Sequence, residues 1–192
     1  MRHLRSCLLL TLQSVALLFG AEAGAAGLEG AEVTVTGYCC TAPTETDRFT
    51  VPATATVGAG VEFPAGSLLT IGRDLITSNV DVAAFSIDLV YTASATAAGG
   101  SFNGFAFDFA GLGPQRIAQA SLNPQSSFAP GSVGLFFDAN TLFYDAAGLV
   151  FVPGSRVLID IELAPVPLPG AAVLLGGGLL MLGARRRPRA RA

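Results

Sequence analysis

The sequence predicts an all-β fold: a single β-sandwich, jelly-roll-like, held between two targeting segments. Three observations carry that prediction. Apolar residues across 27–163 recur with a period of two, turn-forming sequences fall between the alternating runs, and no window of ten or more residues there presents a convincing helical face. A period of two is the mark of a strand with one buried face, because successive side chains point to opposite sides of a sheet.

Taken in order, residues 32–37 alternate first, with Val33 and Val35 on one face. Residues 84–91 set Phe85, Ile87, Leu89 and Tyr91 against Ser86 and Asp88. Phe105, Phe107 and Phe109 alternate with Ala106 and Asp108, and 115–122 is the nearest approach to a helical pattern. Residues 142–144, 149–152 and 157–163 complete the set, the last with Val157, Ile159, Ile161 and Leu163 facing one way. Turn chemistry separates these runs at 57–60, 98–101, 103–104, 111–114, 129–131, 146–148 and 153–154, each rich in Gly or Pro. Roughly eight to ten strands are expected for a sandwich of this length, with the many Phe residues supplying much of the layer between the sheets.

Charge is distributed unevenly along the 192 residues. The net charge is −3, yet there is no Lys, and the eleven basic residues are all Arg. Within the middle segment four arginines (Arg48, Arg73, Arg116, Arg156) stand against thirteen acidic residues, a balance of −9. A domain this acidic repels nucleic acid and anionic lipid, so the C-terminal arginines do not read as a DNA-binding arm.

The two ends read as addresses. Residues 1–26 have the parts of a secretory signal peptide: Arg2 and Arg5, the apolar run 7–20, and small residues before a cleavage site at Ala23. At the other end, 164–170 form a Pro-rich linker containing Val166, Pro167, Leu168 and Pro169. An apolar stretch, 171–184, follows, and Arg185, Arg186, Arg187, Arg189 and Arg191 close the chain in an Arg-rich tail, 185–192. As a helix, 171–184 would be roughly 21 Å long, against a hydrocarbon core of about 30 Å, and extending back to Val166 lengthens it. The basic tail would remain cytoplasmic, which places the 27–163 domain outside the cytoplasmic membrane.

This three-part tail resembles the PEP-CTERM class of sorting domains, in its VPLP-type variant, where Val-Pro-Leu-Pro stands for Pro-Glu-Pro. The matching features are Val166-Pro167-Leu168-Pro169, an apolar helix interrupted by Gly176-Gly177-Gly178, and the terminal Arg run; Gly170 departs from the usual Ala. The resemblance implies a Gram-negative envelope protein recognised by a membrane-embedded exosortase after passing the secretion machinery. It also implies an exopolysaccharide or biofilm-matrix setting, with the domain in the periplasm first and at the cell surface or in the matrix after processing. Residues 37–45 and 55–63 are similar to a motif near the start of small exported proteins of this type.

The catalytic inventory is sparse. His3, inside the signal peptide, is the one histidine, which leaves the mature chain without Ser-His-Asp, Cys-His or imidazole-metal chemistry. There is no Trp for sugar stacking, although Phe and three Tyr remain, and no dinucleotide or Walker motif. Cys39 and Cys40 are adjacent: a vicinal disulfide, pairing between molecules, free thiols and a redox switch are all open to them in an oxidising compartment. Two carboxylates could pair for glycoside hydrolysis, with Asp108, Asp138, Asp145, Asp160 and Glu162 available, but alternation puts most acids on solvent faces. Residues 138–145 gather oxygen ligands suited to weak calcium binding, yet lack the Gly and terminal Glu of an EF-hand loop. The expectation is therefore a non-enzymatic protein with no cofactor and no metal site. A carbohydrate- or calcium-binding module is the alternative.

Overall fold

The computed structural model describes residues 27–166. The alternating runs at 32–37 and 84–91 fall in strands, and further strands lie between and after them: β1 (Glu32–Cys40), β2 (Ala53–Thr56), β3 (Val61–Phe63), β4 (Ser78–Ala83), β5 (Ser86–Tyr91) and β6 (Ala95–Thr96) in the first half. The second half carries β7 (Phe102–Ala110), β8 (Gln115–Leu122), β9 (Gly134–Phe137), β10 (Thr141–Asp145), β11 (Val150–Phe151) and β12 (Arg156–Pro165). A single 3-10 turn, Glu45–Asp47, is the only helical element among the described residues.

The strands assemble into two five-stranded sheets, ordered β2-β1-β7-β10-β9 and β3-β4-β5-β12-β8, and a short β11-β6 ribbon. Every pairing is antiparallel. Val33, Val35, Phe107 and Leu142 of the first sheet share one apolar cluster with Val80, Val82, Ile87, Leu89, Val157 and Ile159 of the second, all at 0% exposure. Burying each such side chain stabilises the fold by about 1.5–3 kcal/mol relative to exposure, which is why the two apolar faces close on each other in a sandwich-like arrangement.

Several boundaries differ from the sequence expectation. Phe85 is not part of a strand face: Ala83 pairs with Ser86, which leaves Ala84 and Phe85 as the two-residue turn of the β4–β5 hairpin, with Phe85 47% exposed. The turn is used through its backbone, since the Ala84 carbonyl accepts the Leu28 amide (2.7 Å) and the Phe85 carbonyl accepts that of Ile161 (2.8 Å). Asn103 and Gly104 are not a turn either. They lie inside β7, where Gly104 faces Tyr38 on one side and Asp145 on the other, and a Cβ there would overlap the Tyr144 carbonyl. Glycine marks a close backbone approach at this position. Residues 115–122, the nearest to a helical pattern, form β8. The last strand runs two residues beyond the expected domain end at 163, to Pro165, and the Val166 amide donates to the Pro114 carbonyl (2.7 Å). The start of the expected linker thus belongs to the sheet.

Candidate functional site: an interior pocket beside a vicinal disulfide

At one end of the sandwich the sheets part around a cavity of about 320 Å³. β1, β7 and β10 reach it from the first sheet and β5 from the second, while the β6–β11 ribbon closes one side. Its deep wall is aromatic and buried: Phe49, Tyr91, Phe105, Tyr144 and Phe151. Tyr91 stacks on Phe151 at a centroid separation of 3.8 Å, and Phe105 stacks on Tyr144 at 6.4 Å. Leu75 and Ile76 line the flank, and exposed Arg73, Asp74 and Thr96 lie toward solvent.

Two hydroxyls meet in this wall. Tyr91 on β5 and Tyr144 on β10 face inward by strand parity, and their oxygens are 3.0 Å apart. Burial pushes both phenols above their ordinary range. For Tyr91 the bond to Tyr144 partly offsets that rise, while for Tyr144 the proximity of Tyr91 adds to it. Within the pair one hydroxyl donates and the other accepts, so the accepting group keeps a proton for which the described residues supply no acceptor.

Cys39 and Cys40, at the end of β1, form a vicinal disulfide joined by a cis peptide bond. Cys39 is buried against the cavity and Cys40 is half-buried. The Arg73 Nη1 approaches both sulfurs, at 3.8 and 3.7 Å. Backbone bonds hold the Arg73 loop in place: the Ile71 amide donates to the Phe49 carbonyl (2.7 Å), the Val51 amide to that of Leu69 (2.8 Å), and Phe49 itself is tied to Gly37 (3.0 Å). Among the described residues the ion pairs are Arg48–Glu45 and Arg156–Asp88, so Arg73 has no carboxylate partner there.

Of the carboxylates singled out by sequence, Asp108 and Asp138 converge on Thr141, and all but Glu162 accept hydrogen bonds within the fold. Asp108 accepts from the Thr141 hydroxyl (2.7 Å), and Asp160 accepts from the Asn123 side-chain amide (2.9 Å). Asp145 accepts from the Asn103 and Ala147 amides, at 2.8 and 2.9 Å. Asp138 caps a turn by accepting from the Asn140 and Thr141 amides, and these bonds, Asn140 first, lower its pKa. Residues 141–145 of the supposed calcium loop are β10. Glu162 lies on β12, exposed. Elsewhere, Asp81 and Asp88 are direct cross-strand neighbours, and desolvation, then Glu62 and Asp88, raise the Asp81 carboxyl. Among the described residues no group of three or more His, Cys, Asp or Glu side chains is placed to hold a metal ion.

Of the sorting residues, Val166 is the last described. Ala23, Pro167, Leu168, Pro169, the helix expected over 171–184 and Arg185, Arg186, Arg187, Arg189 and Arg191 lie outside the described residues. Arg73, Phe151 and the tyrosine pair did not stand out in the sequence; the available signal was the inward parity of Tyr91 and Tyr144 at their strand ends. No protein-family model, curated protein or solved structure gives a match to the chain.

Proposed function

We propose that this chain is an exported, non-enzymatic protein of the cell surface or exopolysaccharide matrix, carrying its own C-terminal sorting signal. The observation that carries the reading is the pairing of a signal peptide at 1–26 with the tripartite tail that begins at Val166. In this reading the domain crosses the cytoplasmic membrane through the secretion machinery and is held there by the apolar helix. A membrane-embedded processing enzyme of the exosortase kind then acts near Val166–Pro169. The sandwich would be the cargo, of jelly-roll-like type, with the chain crossing between sheets directly at β2–β3, β7–β8 and β8–β9 and by way of the ribbon strands at β5–β7 and β10–β12.

Intact mass of the native protein, combined with cell fractionation, tests this. A C-terminus near residues 165–170 and protein at the surface or in the medium is the expected result. A mass that retains Ala192, with all protein in the cytoplasmic membrane, would leave a plain single-pass anchor and remove the matrix reading.

One observation favours a second reading, a binding module on the same sandwich. The end cavity, about 320 Å³ with a mixed polar and apolar lining, falls in the size range of a small-molecule site. Calcium gains nothing comparable, because the Asp138 carboxylate already caps its own turn.

A further inference from the structure

We propose that the Cys39–Cys40 disulfide is a thiol-exchange site: a small external thiol attacks Sγ of Cys40, and Cys39 leaves as a thiolate beside Arg73. The proposal is independent of where the protein is sorted and of whether the end cavity takes a ligand of its own.

Strand parity makes the two sulfurs unequal. Cys39 shares the parity of Val33 and Val35, the face of β1 that turns into the sandwich, and it is buried where it lines the cavity. Cys40 shares the parity of Thr34 and Tyr38 on the opposite face and is half-buried. Gly100 packs against Cys40 without a side chain, and a Cβ there would overlap the Cys40 carbonyl and lie 3.0 Å from its Cβ. That flank of Cys40 therefore carries no covering side chain. A disulfide exchanges through the sulfur that a thiolate can reach, and the other sulfur departs.

The departing sulfur is Cys39, and its surroundings suit a thiolate. Arg73 Nη1 lies 3.8 Å from the Cys39 sulfur and 3.7 Å from that of Cys40. A neighbouring guanidinium stabilises sulfur charge as it forms. Asp74 lines the same cavity and opposes this effect, but among the described residues it makes no ion pair with Arg73. The cavity of about 320 Å³ leaves the released Cys39 side chain open space beside it.

The step balances without an added oxidant. A thiolate RS⁻ bonds to Cys40 Sγ as the Cys39–Cys40 bond breaks, and the electron pair of that bond passes to Cys39 Sγ, which solvent then protonates. The product is a mixed disulfide, Cys40–S–S–R, with Cys39 free. Return attack by the Cys39 thiolate expels RS⁻ and restores the pair. Attack on the mixed disulfide by a second thiol instead releases RSSR and leaves both cysteines reduced, the electrons coming from the two thiols.

In the full-length chain Cys7→Ser leaves cysteine only at 39 and 40. Cys39→Ser and Cys40→Ser would each be made in that background and incubated, folded, with oxidised glutathione, the adduct being counted by intact mass. Cys39→Ser, which keeps Cys40, should gain glutathione about tenfold or more faster than Cys40→Ser. The unmutated pair, treated with reduced glutathione and quenched with iodoacetamide, should open without urea. Arg73→Gln should slow that opening about threefold or more, with Arg73→Lys restoring most of the rate. Arg73 is exposed, so both variants should keep the parent melting temperature, which separates the effect from a loss of structure. Equal or inverted rates for the two single-cysteine proteins would overturn the proposal. A pair that glutathione opens only in urea, or Arg73→Gln opening at the parent rate, would overturn it as well.

Discussion

Gly104 is where two strands approach too closely for a side chain. It sits in β7 opposite Asp145, and a Cβ built on it would overlap the carbonyl oxygen of Tyr144, a backbone atom of β10 held by the ladder. A clash with backbone has no rotamer to relieve it, so one strand must shift. Gly104→Ala should therefore destabilise the protein by about 2 kcal/mol or more, in the upper part of the range for overpacking. Gly99 is the matched control: nothing lies within 4 Å of its Cβ position, and its backbone is not in the left-handed region. Gly99→Ala should stay within about 0.5 kcal/mol of the parent, as surface changes usually do. Urea denaturation of both variants checks the pair, and equal midpoints would mean that β7 and β10 give way at little cost. Since Tyr144 also lines the cavity, the packing that excludes a methyl group at Gly104 helps fix the pocket's deep wall.

At the scale of the strand, one carboxylate joins three segments. Asp145 ends β10, and its Oδ1 accepts from the Asn103 amide at the start of β7 and from the Ala147 amide in the turn that follows. Removing it leaves two backbone donors without their acceptor in a half-buried place. Asp145→Ala should cost about 1–3 kcal/mol, and Asp145→Asn less because its side-chain oxygen still accepts. Thermal melting of the two variants measures this, and equal losses would show that charge rather than hydrogen bonding holds the corner.

The same segment shows what the sequence disclosed. The alternations around Val33, Phe107, Leu142 and Ile159 were legible because each has one fully buried face, and those strands form the sandwich interior. β2, β3 and β9 were not, since Ala-Thr-Ala-Thr, Val-Glu-Phe and Gly-Leu-Phe-Phe lie at sheet edges, where burial imposes a weaker pattern; β4 was missed although it is an inner strand, its buried face carrying only Ser78, Val80 and Val82. Gly104 read as a turn because a glycine needed for close approach and one needed for reversal look alike in sequence. The pocket was illegible for a different reason: Arg73, Tyr91, Tyr144 and Phe151 are far apart along the chain, and only the sheet order and the β6–β11 ribbon bring them together.

For the whole molecule, the tyrosine pair links the two sheets, since Tyr91 belongs to β5 and Tyr144 to β10. Both phenols are raised above their ordinary range, chiefly by burial. The sign for stability follows from which state loses protons first. In the unfolded chain both titrate near pH 10, whereas the folded sandwich keeps them protonated beyond it. Their contribution is therefore fully present below about pH 10 and is lost as pH rises above that value toward the raised folded pKa values. Each group can remove about 1.4 kcal/mol per pH unit there, so the pair removes up to about 2.7. Tyr38 is raised too, by partial burial first and by Glu45 and Asp108 next, so the comparison belongs in a Tyr38→Phe background. In that background, unfolding free energy measured by urea between pH 8 and about 11.5 should be flat and then fall steeply. Changing Tyr91 and Tyr144 together to Phe should abolish the steep part, because the 27–163 domain then holds no Tyr, Lys or free thiol to titrate in that range. Parallel curves for the two proteins would sink the idea, because they would require the phenols to ionise inside the sandwich as readily as in water.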